Sequence, residues 1–220
     1  MSKPVIPVEH YSDVLCVWAY IAQIRVEELE ATFPDEVVID FRFLQVFGDV
    51  PGKMASQWAD RGGIAGYAGH VQEVAGAFEH CELNPKVWQA NTPASSLPAH
   101  LVLCGLKAMG CSEFVAPVLR LLRRAFFVDL VDISNHDALL EVVRGSNADL
   151  KQLQEALDSG AAHAQLSADL VAAAQVGVRS SPTLTFNEGR QTLAGNVGYR
   201  VLEANIRELL HSPADQQSWC

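Results

Sequence analysis

No Cys-x-x-Cys pair occurs in this 220-residue chain, which excludes a zinc ribbon. Positive charge is scarce: 16 Lys plus Arg face 26 Asp plus Glu, for a formal net charge of −10 and a pI near 5.1. A chain with that field does not gather phosphate backbones, so no nucleic-acid partner is expected. No apolar run approaches the roughly 20 residues of a membrane span. Strand-like sequence starts within a few residues of Met1, leaving no room for a secretory signal, and a cytoplasmic location is expected. The five cysteines (Cys16, Cys81, Cys104, Cys111 and Cys220) are odd in number and widely spread, so structural disulfides are not expected at that address. The glycines Gly62, Gly63, Gly66 and Gly69 lack both the G-x-G-x-x-G spacing and a Walker lysine, and read as a flexible turn before a helix. His70, Glu73, His80 and Cys81 lack a fourth ligand at helical spacing, so no metal is expected.

What the chain does have is apolar mass. With 49% hydrophobic and 19% charged residues it buries enough surface to offset its ordering entropy, which excludes intrinsic disorder. Val5–His10 reads as a strand, Val17 to about Phe33 as a helix, and Val37–Leu44 as an alternating strand, giving β-α-β. From Phe47 to about Ala174 only helical patterns appear: Ile64–Cys81, Leu97–Met109, Phe114–Val128, His136–Arg144, Asp149–Asp158 and Ser167–Val176. Ser134 or Asn135 and Asp149 are expected N-caps. Strand chemistry returns at Thr183–Phe186 and Gln191–Ala194, and a terminal helix follows. The expected architecture is an α/β domain with a mixed sheet, formed by residues 1–46 and 165–211. An all-helical insertion of residues 47–164 interrupts it, and a polar tail covers 212–220.

Two junctions carry chemistry. Cys16 falls at the start of the first helix, where unpaired N–H groups and the positive dipole end favour an anion. Either it is a thiol of lowered pKa or it is a small buried apolar residue, as free cysteines often are. Pro182 opens a strand that otherwise reads as central, where a proline removes a ladder donor. X-Pro bonds are mostly trans, yet a trans proline fits this place awkwardly, and a cis Ser181–Pro182 bond opposite Cys16 is expected. Cys104 and Cys111 read as packing residues. Trp18 either walls a groove beside the thiol or simply packs, and Trp58 and Trp88 are as well suited to a core as to an inner wall.

Ser12-Asp13-x-x-Cys16-x-Trp18-x-Tyr20, Gly177-Val-Arg-Ser-Ser-Pro-Thr-Leu-Thr-Phe186 and the βαβ–insertion–αββα order together resemble the DsbA-like branch of the thioredoxin superfamily. Within it the chain is most similar to FrnE-type oxidoreductases, relatives of 2-hydroxychromene-2-carboxylate isomerases and kappa-class glutathione transferases. The resemblance implies a thioredoxin fold, Cys16 as catalytic nucleophile, and glutathione as cosubstrate. It implies substrate or glutathione contacts from Trp18, Asn91, Thr92, Ser181, Pro182, Gly195 and Asn196. It also implies a homodimer, although composition fits a monomer equally. The oxidoreductases carry Cys-x-x-Cys at the helix start, whereas this chain has Ala19 in the resolving position; the isomerases and transferases usually carry Ser in place of Cys16. The expected activity is therefore monothiol exchange released by an external thiol. The alternatives are a glutathione-dependent isomerase or transferase and a non-catalytic thiol- or peptide-binding module. Cys220 is a further thiol that could resolve a mixed disulfide at Cys16.

Overall fold

The computed structural model describes residues 5–211. Strand β1 (Ile6–Ser12) runs into helix α1 (Val17–Thr32), which crosses back to β2 (Val37–Phe43). β1 and β2 are parallel, in a register that sets Ile6 beside Val37 and Ser12 beside Phe43. After the helical segment, β3 (Thr183–Phe186) pairs antiparallel with β1, setting Tyr11 beside Thr183, and β4 (Gln191–Ala194) pairs antiparallel with β3. The sheet order is β2-β1-β3-β4. This is a thioredoxin-like α/β fold with a large helical insertion, as expected. Ile6, Val8, Leu184 and Phe186 pack with Leu29 and Phe33 and with Leu202, Ile206 and Leu209 of the terminal helix.

The insertion holds α2 (Val50–Gln57), α3 (Gly63–Gly76), α4 (Leu97–Ala108), α5 (Val115–Phe127), α6 (His136–Arg144) and α7 (Leu150–Asp158). α8 (Ala161–Gln175) and, beyond the hairpin, α9 (Tyr199–His211) complete the helices. Asn135 and Asp149 cap α6 and α7 by accepting from Ala138 N and from Lys151 N and Gln152 N. Three expectations needed correction. The sequence patterns name no helix between Phe47 and Ile64, yet α2 forms there: proline suits a first helical turn, and Asp49 caps it by accepting from Gly52 N at 2.9 Å. A Cβ at Gly52 would lie 2.0 Å from the Asp49 carboxylate, so only glycine permits that approach. α3 ends at Gly76 instead of Cys81. α8 begins at Ala161 instead of Ser167, because Gly160 at φ +81° both ends one helix and starts the next; it runs unbroken through residues 164 and 165.

Helices α4 and α8 also cover the β2 edge of the sheet. Lys107 Nζ donates to Phe41 O at 2.7 Å and pairs with Asp40 and Asp169, while Phe43 N donates to Asp169 Oδ2 at 3.3 Å. Side chains of α4 and α8 thus occupy the groups with which another strand would pair. Among the described residues no helix is long and apolar enough to cross a membrane.

Candidate functional site

The turn between β1 and α1 is fixed by its own acid. Asp13, fully buried, accepts from Leu15 N through Oδ1 at 2.9 Å, and from Phe47 N and Ser96 Oγ through Oδ2 at 2.8 Å each. One carboxylate thereby ties the turn to the start of the insertion and to the residue before α4. His100, also buried, accepts from Val14 N through Nε2 at 3.1 Å. Its Nε2 also lies 3.7 Å from Asp13 Oδ1. Burial lowers the His100 pKa, with Arg123 adding to the effect, against the raising influence of Asp13. An acceptor Nε2 and a lowered pKa both describe a neutral ring, so this contact is not an ion pair.

Cys16 is the N-cap of α1: its carbonyl accepts from Tyr20 N at 3.0 Å, and its thiol donates to Ser181 O at 3.2 Å. The Ser181–Pro182 peptide bond is cis. Ser181 Oγ accepts from Asp13 N at 2.9 Å, and Pro182 O accepts from Gly195 N at 2.8 Å. The two junctions singled out in the sequence therefore meet.

The acidity expected of Cys16 is the main correction. The residue is only 6% exposed, and burial pushes its thiol above the ordinary range. The Ser181 side-chain hydroxyl and the backbone N–H groups of Ala19 and Trp18 pull it down, while the Asp13 charge pushes it further up. The helix-start dipoles act as expected, but Cys16 is buried in a core shared with residues of the insertion, and desolvation outweighs them. Tyr67 of α3 feels the Cys16 and Asp13 charges, which add to burial in raising its own phenol. Its ring packs edge-on against Trp88 at 4.9 Å, and Phe47 packs against both.

The other expected contacts divide. Ser181, Pro182 and Gly195 gather at the thiol's loop. Trp18 is half-buried and packs edge-on against Phe78 at 6.3 Å. Asn196 is exposed and accepts from Arg25 Nη1 of α1. Asn91 and Thr92 commit their polar atoms inward. Asn91 accepts from Trp88 N and donates to Phe126 O, both at 2.9 Å, and Thr92 Oγ1 donates to Trp88 O at 2.6 Å. They brace Trp88, a buried non-glycine residue at φ +68°. Cys220 lies outside the described residues. Among the described residues no cluster of three or more His, Cys, Asp or Glu is placed to hold a metal ion.

Asp13, Ser96 and His100 were not assigned roles from the sequence; neither was Arg123. Arg123 is buried and donates to Ser12 Oγ at 3.1 Å and to Gln23 Oε1 at 3.2 Å. A signal existed: four residues beyond Leu119 and four before Phe127, it interrupts the buried stripe of α5 with a charge. Beside the Pro182 loop runs a groove of about 430 Å³, lined by Leu44, Val46, Leu170, Ala173, Val178 and Arg179 among others.

Comparison with known proteins places this geometry. The chain is 33% identical over 98 residues to the ClpXP adapter protein SpxH of Bacillus licheniformis, a match spanning 42% of this chain and 32% of that relative. This chain thus covers about a third of the length of that curated relative. A putative protein disulfide isomerase from Nitrosomonas europaea has the same fold, at a TM-score of 0.77 and 15% identity over 96% of this chain and 100% of that one. So does the cytosolic disulfide reductase DsbM of Pseudomonas aeruginosa, at 0.66 and 16% identity over 91% and 98%. The family model for the DSBA-like thioredoxin domain matches residues 7–207. With a thiol capping its first helix and bonded to a cis-proline loop, the chain thus belongs to the DsbA-like thioredoxin family.

Proposed function

We propose that this protein exchanges disulfides through Cys16 alone, with glutathione as the external thiol. The observation that carries the reading is the contact of Cys16 Sγ with Ser181 O in a helix start whose fourth position is Ala19. Cys16 loses its proton to solvent and attacks one sulfur of a substrate disulfide. A new S–S bond forms as the old one breaks, and the departing thiolate takes up a proton. A second thiol then attacks the mixed disulfide, returning Cys16 to its reduced state and leaving that thiol oxidised. For a glutathionylated partner the sum is a free partner thiol and one molecule of oxidised glutathione from one of reduced glutathione.

The high thiol pKa shapes the kinetics. A small thiolate fraction slows attack, although the intrinsic nucleophilicity of that fraction is greater. A sulfur of high pKa is also a poor leaving group, so the mixed disulfide should be long-lived, reversing the short lifetime that an acidic thiol would have given. Treatment with oxidised glutathione at alkaline pH, followed by intact-mass and peptide analysis, should show one glutathionyl group on Cys16. No adduct at Cys16, or an equal adduct in Cys16→Ser, would refute the reading.

The burial of Cys16 favours a second reading, a binding module in which the Cys16–Ser181 contact holds the loop and no exchange occurs. The partial likeness to an adapter protein accords with it. Tight glutathione binding with no adduct would instead favour an isomerase or transferase. The cytoplasm, which supplies reduced glutathione, is the proposed place of work. A homodimer is proposed from the family resemblance and is tested by light scattering.

A further inference from the structure

We infer that Arg123 is a positioning residue whose buried positive charge holds the Cys16 site ready for a thiolate. The inference rests on the exchange reading for its purpose and on separate geometry for its substance. Arg123 is 1% exposed. Its hydrogen-bond acceptors, Ser12 Oγ and Gln23 Oε1, are both neutral. Among the described residues no carboxylate lies within ion-pair reach of the guanidinium. Burying a guanidinium costs several kcal/mol, and a directly bonded counterion is the usual compensation. An apolar side chain of similar volume would often be at least as stabilising. Stability alone therefore gives no reason for a charge on the apolar stripe of α5.

The site beside it supplies one. Ser12 ends β1 four residues before Cys16, so the guanidinium is anchored at the root of the thiol's turn. The charged groups that act on Arg123 are Cys16 first, then Asp13, Glu27 and Tyr20, all partly offsetting the burial that lowers it to about 10. Asp13 is already occupied by three hydrogen bonds, and Glu27 pairs with Arg120 at 3.2 Å. The imidazoles of His10 and His100 also feel Arg123, which adds to the burial that lowers both, against the raising influence of Asp13 on His100. They remain neutral near pH 7 and do not compete as cations. Facing Cys16 itself are Asp13, which opposes ionisation, and Tyr67, whose phenol stays protonated. Arg123 is thus a buried cation anchored at the root of the turn that carries a sulfur neutral at rest and anionic in the reacting state. When the thiol ionises, the buried charge gains its counterion. The low dielectric that makes the lone cation costly also strengthens that attraction.

The test reads the pH profile of Cys16 alkylation by iodoacetamide, residue by residue in a mass spectrometer, on the full chain. Arg123→Met should shift the Cys16 midpoint upward and slow its labelling near neutral pH by roughly tenfold, about one pKa unit. Arg123→Lys, which retains the charge, should label within about threefold of the natural protein. Arg123→Gln carries the same comparison if Arg123→Met does not fold. A folded neutral variant, judged by circular dichroism, with an unmoved Cys16 midpoint would overturn the inference, as would a lysine variant as slow as the neutral one. Alkylation is measured without any disulfide substrate, so a chain that never exchanges disulfides could still show the shift, and the two ideas fail separately.

Discussion

Cys16 and Ser181 stand 165 positions apart in the chain, yet the thiol of one donates to the backbone carbonyl of the other at 3.2 Å. The bond joins the two halves of the thioredoxin fold across the whole helical insertion. A thiol can donate and a thiolate cannot, so ionisation of Cys16 releases the Ser181 carbonyl. With the thiol protonated, the Ser181 carbonyl is therefore occupied by Cys16.

Burial raises the Cys16 pKa, so the thiolate should appear at higher pH in the folded chain than in the unfolded one. Alkylation rates followed between about pH 6 and pH 10, in buffer and in denaturant, check this directly. A folded-state midpoint at or below the denatured one would show that the helix start outweighs desolvation.

Asp13 carries structural and electrostatic effects of opposite value. Asp13→Asn replaces one charged acceptor by a donor that faces Phe47 N and Ser96 Oγ, and should cost roughly 2–4 kcal/mol in denaturant unfolding. The same change removes a charge that raises Cys16, so in the variant Cys16 should label at lower pH. Lower stability together with a higher Cys16 midpoint would contradict the arrangement.

His10 is lowered from 6.5 to about 3, first by burial and then by Arg123, and neither ring nitrogen has a hydrogen-bond partner. The unfolded chain binds the His10 proton below about pH 6.5, while the folded chain refuses it until about pH 3. Its contribution is therefore fully present above pH 6.5 and is lost as pH falls toward 3, at about 1.4 kcal/mol per pH unit. His10→Phe, which can keep the edge-on packing against Phe41 at 5.4 Å, should flatten the acid side of the stability profile. Chemical denaturation across that range checks it, and an unchanged slope would assign the acid sensitivity elsewhere.

Ala19 is fully buried three residues after Cys16. Ala19→Cys should let a mixed disulfide resolve internally and relax the need for an external thiol, at an overpacking cost of about 1–2 kcal/mol. Release of a glutathionylated peptide without added thiol is the measurement. A variant that remains folded yet still depends on external thiol would mean that position 19 does not reach the sulfur.

The parts legible in the sequence were those written locally. Alternation in 37–43, the helix after Cys16, the Asn135 and Asp149 caps and the proline at a strand entrance each depend on neighbours in the chain, and they located the sheet and both halves of the site. The Cys16 acidity is not legible in the sequence because it balances a local influence against a distant one. The helix start can be read at residues 16–20, but the burial belongs to a core that Cys16 shares with distant residues such as Phe47, Tyr67 and Trp88. The bracing done by Asn91 is hidden for a related reason: its side chain bonds to Trp88 and Phe126, and sequence spacing does not connect Phe126 to it. Arg123 left a readable trace as a charge on an apolar helical stripe, but its partner Ser12 lies 111 positions away.

The most direct test of Cys16 as a lone exchanging thiol is turnover of a glutathionylated model peptide by the natural protein and by Cys16→Ser, with and without reduced glutathione. The account predicts repeated peptide release only when the natural protein and reduced glutathione are both present, with no more than one release per molecule when the thiol is omitted. Sustained release without added thiol, or release that survives Cys16→Ser, would contradict it.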